Sequence, residues 1–267
     1  MRVLTLAALL LASPLSAHEF WIDPVLSQVA PGAALQADLR VGSEFKGSVY
    51  SYVPPNFTRF DVVMGESVTA VPGRAGDKPA LNMPAPEEGL AVVVHVTRDY
   101  LLTYDGWDKF ETFCNHKDFP WALERHLERG YTKDLVRERY SRHAKSLIGV
   151  GEARGADREM GLAIEIVALA NPYTDDLSQG LPVRALYQGA PRADVQVELF
   201  EEAPDGTIDI RTYRTDADGR AVLEVKPGHD YLVDHVVMRE LEPEGPNDPV
   251  WESLWASLTF GVPGSAR

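Results

Sequence analysis

Cysteine is almost missing from this 267-residue chain. The single residue, Cys114, cannot form an internal disulfide, so the fold must be held by a hydrophobic core. No apolar run reaches the roughly 20 residues that a membrane-spanning helix needs. Excess positive charge is missing too. With 26 Lys and Arg against 40 Asp and Glu, the formal net charge is −14, which argues against binding a nucleic-acid backbone and makes a surface that attracts cations. There is no Gly-x-Ser-x-Gly elbow, no His-Glu-x-x-His and no phosphate-binding glycine loop. What remains is an ordinary globular composition, 45% hydrophobic and 25% charged, which excludes a disordered or collagen-like chain.

The first residues have their own logic. Met1-Arg2 is a short basic start, Val3 to Ala12 an apolar stretch, and Ser13 to Ala17 a small-residue end containing Pro14. This is the pattern of a secretory signal peptide over 1–17. Cleavage after Ala17 makes His18 the amino terminus and predicts a periplasmic or secreted protein. An amino-terminal His brings together an amine and an imidazole, nitrogen ligands that suit nickel, cobalt, copper or zinc better than calcium or magnesium.

Residues 18–105 read as short strands. Leu35, Ala37, Leu39 and Val41 alternate with polar residues, and Phe60 to Met64, Ser67 to Val71 and Leu90 to Val96 follow between Pro and Gly turns. Residues 106–155 change texture and read as a helical insertion. Trp121, Leu123 and Leu127 form one apolar stripe, Gly130 separates two helices, and the second helix is predicted over Thr132 to Ile148. Its charges Arg137, Glu138, Arg139, Arg142 and Lys145 read as a solvated face. Residues 156–267 return to evenly spaced strands, with hairpin-type turns at Asp205-Gly206 and Asp216 to Gly219. The latter opens like a calcium loop, but Pro227 stands where the closing Glu is required, so it reads as a turn. The predicted fold is mainly β: two β-sandwich domains of immunoglobulin-like or transthyretin-like type with a helical insertion.

Seven histidines carry the candidate chemistry: His18, His95, His116, His126, His143, His229 and His235. His95 and His235 each sit alone inside an apolar strand, and with His18 they form a conceivable three-histidine metal site. His126 and His143 lie among charged neighbours and read as surface residues. Cys114-Asn115-His116 lacks the partners of a zinc module, and the thiol reads as inert. Carboxylate pairs such as Asp175-Asp176 sit in turns, with nothing to bury them for acid catalysis.

Taken in order, His18-Glu19-Phe20-Trp21-Ile22, Tyr140-Ser141-Arg142-His143-Ala144-Lys145, Gly161 to Val167, Asn171-Pro172, Thr215 to Arg220 and Trp251 to Phe260 resemble the DUF4198 family. The resemblance spans nearly the whole chain after residue 17. It implies a periplasmic protein associated with nickel or cobalt uptake that captures a divalent transition-metal ion and delivers it to a membrane transporter, with His18 as a ligand. Two other classes stay open: a β-sandwich interaction module without metal, and a copper oxidative enzyme whose amino-terminal chelate lies on a flat aromatic surface from Trp21, Trp107, Tyr50 and Tyr52.

Overall fold

The computed structural model describes residues 18–264; the expected leader, residues 1–17, lies outside the described residues. Among the described residues three β-sheets and two α-helices make up the fold. The first sheet contains β1 (Glu19–Pro24), β3 (Ala34–Ser43), β4 (Lys46–Tyr50) and β7 (Leu81–Pro84). The central sheet runs in the order β15 (Ile208–Arg214), β14 (Gln196–Glu202), β17 (Asp230–Glu240), β18 (Trp251–Gly261), β10 (Arg137–Val150), β8 (Gly89–Thr97), β5 (Phe57–Met64) and β6 (Ser67–Ala70), and β2 (Gln28–Val29) and β9 (Tyr100–Thr103) also pair with β10. The third sheet holds β11 (Ile164–Ala168), β12 (Leu181–Tyr187), β13 (Ala190–Pro191) and β16 (Arg220–Leu223). The helices are α1 (Trp107–His116) and α2 (Trp121–Glu128).

Alternation along the central strands explains the layering, because successive side chains point to opposite faces. On β8, Leu90, Val92 and Val94 pack with Ile164, Ile166 and Val183 of the third sheet. Ala91 and Val93 turn the other way and pack with Ile22, Leu35 and Leu39 of the first sheet. Farther along that second face, Trp251, Trp255 and Val236 meet Phe110 and Phe113 of α1. The protein is thus a mainly β molecule in which two sandwich layers use opposite faces of one shared sheet, with the helices beside the first sheet.

The expected strands through residues 34–41, 60–64 and 90–96 are present, and Asp205-Gly206 closes the hairpin between β14 and β15. The Asp216 to Gly219 turn instead carries the chain from the central sheet to the third. There the Asp216 carboxylate accepts from the backbone N–H groups of Asp218 and Arg220, both at 2.9 Å, and Gly219 takes φ 72°, so the side chain is spent on the turn rather than on calcium.

The helix expected over Thr132 to Ile148 is not formed. Both helices lie before Gly130, and 137–150 is the longest strand among the described residues. This strand, β10, pairs in parallel with β18 and antiparallel with β8 and β9, so both of its edges are filled. Tertiary pairing overrides the local helical spacing. The segment 106–155 therefore supplies the helices and also the strand that joins the 18–105 and 156–267 parts in one sheet.

Candidate functional site

β10 organises the site. Its alternation puts Glu138, Tyr140, Arg142 and Ala144 on the face toward the first sheet and helices, and Arg139, Ser141, His143 and Lys145 on the face toward the third sheet. Three of the charges read as a solvated helix face are therefore placed differently. Glu138 and Lys145 are fully buried, and Arg142 is partly buried between aromatic rings.

Lys145 is neutralised on the spot. Its ammonium reaches Asp157 at 2.8 Å and Glu165 at 2.9 Å, and these carboxylates also accept backbone N–H groups from Ala168 and Met160. A second buried ammonium, Lys117, sits among Glu19 at 3.0 Å, Asp234 at 2.7 Å and Glu198, which His116 also contacts at 2.9 Å. Burial works against the Lys117 charge, but the three carboxylates outweigh it and hold its pKa well above the ordinary lysine value. Burial pushes Asp234 up to about 7, with Lys117 pulling the other way. Among the described residues Glu19, Glu198 and Asp234 are the one group of three side chains close enough to share an ion, and a lysine already fills it.

Glu138 has no such cation in contact. Tyr104 and Ser253 donate their hydroxyls to its two oxygens, and the Trp255 indole N–H donates to Ser253 Oγ at 2.8 Å. Burial raises its pKa to about 7 against the lowering pull of those hydrogen bonds and of Arg142. The carboxyl lines a cavity of about 220 Å³ whose wall also includes His18, Tyr104, Tyr140, Arg142 and Trp255. A second cavity, of about 340 Å³, lies on the other side of Tyr140 and Arg142, against Phe20, Phe57, His95 and Tyr100.

The three histidines expected to share a metal are not brought together. His18 is exposed at the first cavity. His95 lies on the first-sheet face of β8, packed against Phe20, Phe57 and Phe60 at ring distances of 4.9–5.3 Å, and burial lowers its pKa to about 3. His235 follows Tyr231 and Val233 onto the opposite face of β17. Its Nδ1 bonds the Gln196 carbonyl at 2.9 Å, and burial lowers its pKa to about 4. Strands β18 and β10 stand between β17 and β8, which is three strand spacings or about 14 Å. A shared ion at bonds of about 2 Å is sterically impossible across that gap and through the sheet.

Two other histidines are also placed differently from their reading. His126 is buried: Trp251 Nε1 donates to its Nδ1 at 3.0 Å, and Nε2 faces the Thr132 carbonyl at 2.8 Å, an arrangement that specifies the neutral ring with its proton on Nε2. His143 is buried beside Ser141, because its strand is central rather than a surface helix, and burial lowers its pKa to about 4. Cys114 is buried in the α1 core and its thiol is pushed up by burial, consistent with an inert residue. Trp21 and Tyr52 are buried as well, so they supply no flat aromatic surface next to His18.

Glu138 and Arg142 are the site residues that spacing failed to single out. The family model for DUF4198, described as a domain of unknown function, matches residues 15–239. No curated protein matches the chain.

Proposed function

The chain belongs to the DUF4198 family, and on that footing we propose that it is a periplasmic or secreted binding protein that captures one late first-row divalent ion, of nickel, cobalt, copper or zinc, and passes it to a membrane transporter. In this reading removal of residues 1–17 frees the His18 amine, and amine and imidazole chelate the ion at the rim of the first cavity. Glu138 offers the carboxylate of that cavity.

One observation carries the reading: exposed His18 and buried Glu138 line the same cavity, and Glu138 has a pKa of about 7 and no cation in contact. A carboxyl poised in this way gives up its proton to solvent as a cation binds the carboxylate, so capture would be coupled to pH. His95 and His235 take no part.

The test is calorimetric titration of each metal ion into protein that begins at His18, beside a form with one extra residue before it and beside Glu138→Gln. The expected result is binding by the first form that weakens in both others and releases protons near pH 7. Equal affinity with and without the extra residue removes the amine from the site and overturns the proposal. A metal-free interaction module is the second reading, favoured by the separate burial of His95 and His235, and it predicts no binding by any form.

A further inference from the structure

Arg142 is a charged group with no carboxylate in contact; Glu138 and Glu19 act on it only at longer range. Its Nη2 donates to the His18 carbonyl at 3.1 Å, its Nε is buried without a hydrogen-bond partner, and among the described residues it forms no ion pair. The guanidinium carbon stands 4.9 Å from the Tyr140 ring centroid and 6.0 Å from that of Phe20, so two aromatic faces fix its plane. The two buried lysines are neutralised in place: Lys117 has three carboxylates and Lys145 two. Arg184 and Arg211 also keep a buried Nε without a hydrogen-bond partner, so what singles out Arg142 is that it also lines a cavity that holds no carboxylate, where an unpaired guanidinium favours an anionic ligand.

The two cavities beside Arg142 differ in charge. The first contains Glu138 and Asp105, which repel an anion. The second has no carboxylate in its lining, and Arg142 is its one charged residue. His95 there is neutral, and Phe20, Phe57, Tyr100 and Tyr140 provide apolar ring surface. At about 340 Å³ the cavity falls within the range of small-molecule sites, about 300–1,000 Å³.

We infer that the second cavity binds a small organic carboxylate with a planar apolar body, its carboxylate paired with the Arg142 guanidinium and its body against the aromatic wall. The rigid fork of an arginine matches a carboxylate through two parallel hydrogen bonds, which a lysine cannot reproduce. His18 and Glu138 do not line this cavity, although Arg142 and Tyr140 border both cavities and Arg142 bonds the His18 carbonyl.

The test uses the whole protein in the presence of a metal chelator, with benzoate as probe, benzamide as its uncharged counterpart and acetate as the carboxylate without a body. Benzoate is expected to bind, acetate to bind more weakly and benzamide to show no saturable binding. Arg142→Met is expected to weaken benzoate at least about tenfold, and Arg142→Lys to fall between it and the wild type. No benzoate binding, or equal binding of benzoate and benzamide, overturns the inference on the wild-type protein alone, whether or not a variant folds. Folded Arg142→Met with unchanged benzoate affinity overturns it as well. Because chelator is present throughout, these results are independent of whether His18 takes a metal.

Discussion

Replacing Lys117 with Met tests how the buried carboxylates are held. The substitution keeps much of the side chain's length but leaves Glu19, Glu198 and Asp234 facing one another within 4.8 Å, with no ammonium between them. Removing one partner of a buried ion pair costs about 3–5 kcal/mol. For a chain of this size each kcal/mol moves the midpoint by about 2–4 °C, so Lys117→Met is expected to melt about 6–20 °C below wild type at pH 8. The sign of the pH effect follows from Asp234. Its folded pKa is raised to about 7, so its contribution is fully present below the unfolded value near 4 and is lost as pH rises through 7. Without the ammonium the carboxyl groups hold protons more tightly still. The deficit at pH 8 should therefore shrink at pH 5, and a second change, Glu198→Gln, should restore part of it at pH 8. Thermal and urea unfolding followed by circular dichroism give both numbers, and Trp255, whose ring lies 5.1 Å from the Lys117 ammonium, reports the site by fluorescence. A loss below about 1 kcal/mol at pH 8, or one equal at both pH values, refutes the account.

Two more expectations come from single buried groups. Glu138, raised to about 7, contributes stability below its unfolded value that disappears as pH rises through 7. Relative to wild type, Glu138→Gln should gain about 2–3 kcal/mol between pH 5 and pH 8 in urea unfolding, and a pH-independent difference counts against a raised pKa. His95 has the opposite sign: its folded pKa of about 3 means that stability present above 6.5 is lost as pH falls toward 3. His95→Phe should therefore be more stable than wild type by about 2 kcal/mol at pH 5 than the same comparison gives at pH 8, and no acid-specific gain would show that His95 titrates normally.

Strands such as β3 and β8 were legible because each buries one or both faces with aliphatic residues at a period of two. β10 was not, for the reason that makes it important. Its polar residues are buried or partly buried, but their partners lie outside the strand: Arg139 pairs with Glu252, Glu138 with Tyr104 and Ser253, Lys145 with Asp157 and Glu165. A pattern of charges read locally signals solvent, and only the folded contacts reveal which of these charges have partners. The same holds for the candidate site. His18 could be found because it follows a leader-like segment, whereas the importance of Glu138 lies in the cation it lacks and that of Arg142 in the carboxylate it lacks. The mainly β fold, the presence of a helical insertion and the family were readable, though not that its second half is a strand; the separation of His95 from His235 depended on strand order, which periodicity does not encode.

The connectivity of β10 also sets a timetable for folding. Glu138 to Ser146 run beside Trp251 to Thr259, so this edge of the central strand has no partner until over a hundred further residues have been synthesised. Thr259 then closes a bond of 2.7 Å to the carbonyl of Ile22 in the first strand. Until that closure the nascent chain exposes an unpaired strand edge rich in hydrophobic and charged residues, the state most prone to aggregation. The shared sheet is therefore complete only once β18 has joined strands from both ends of the described residues.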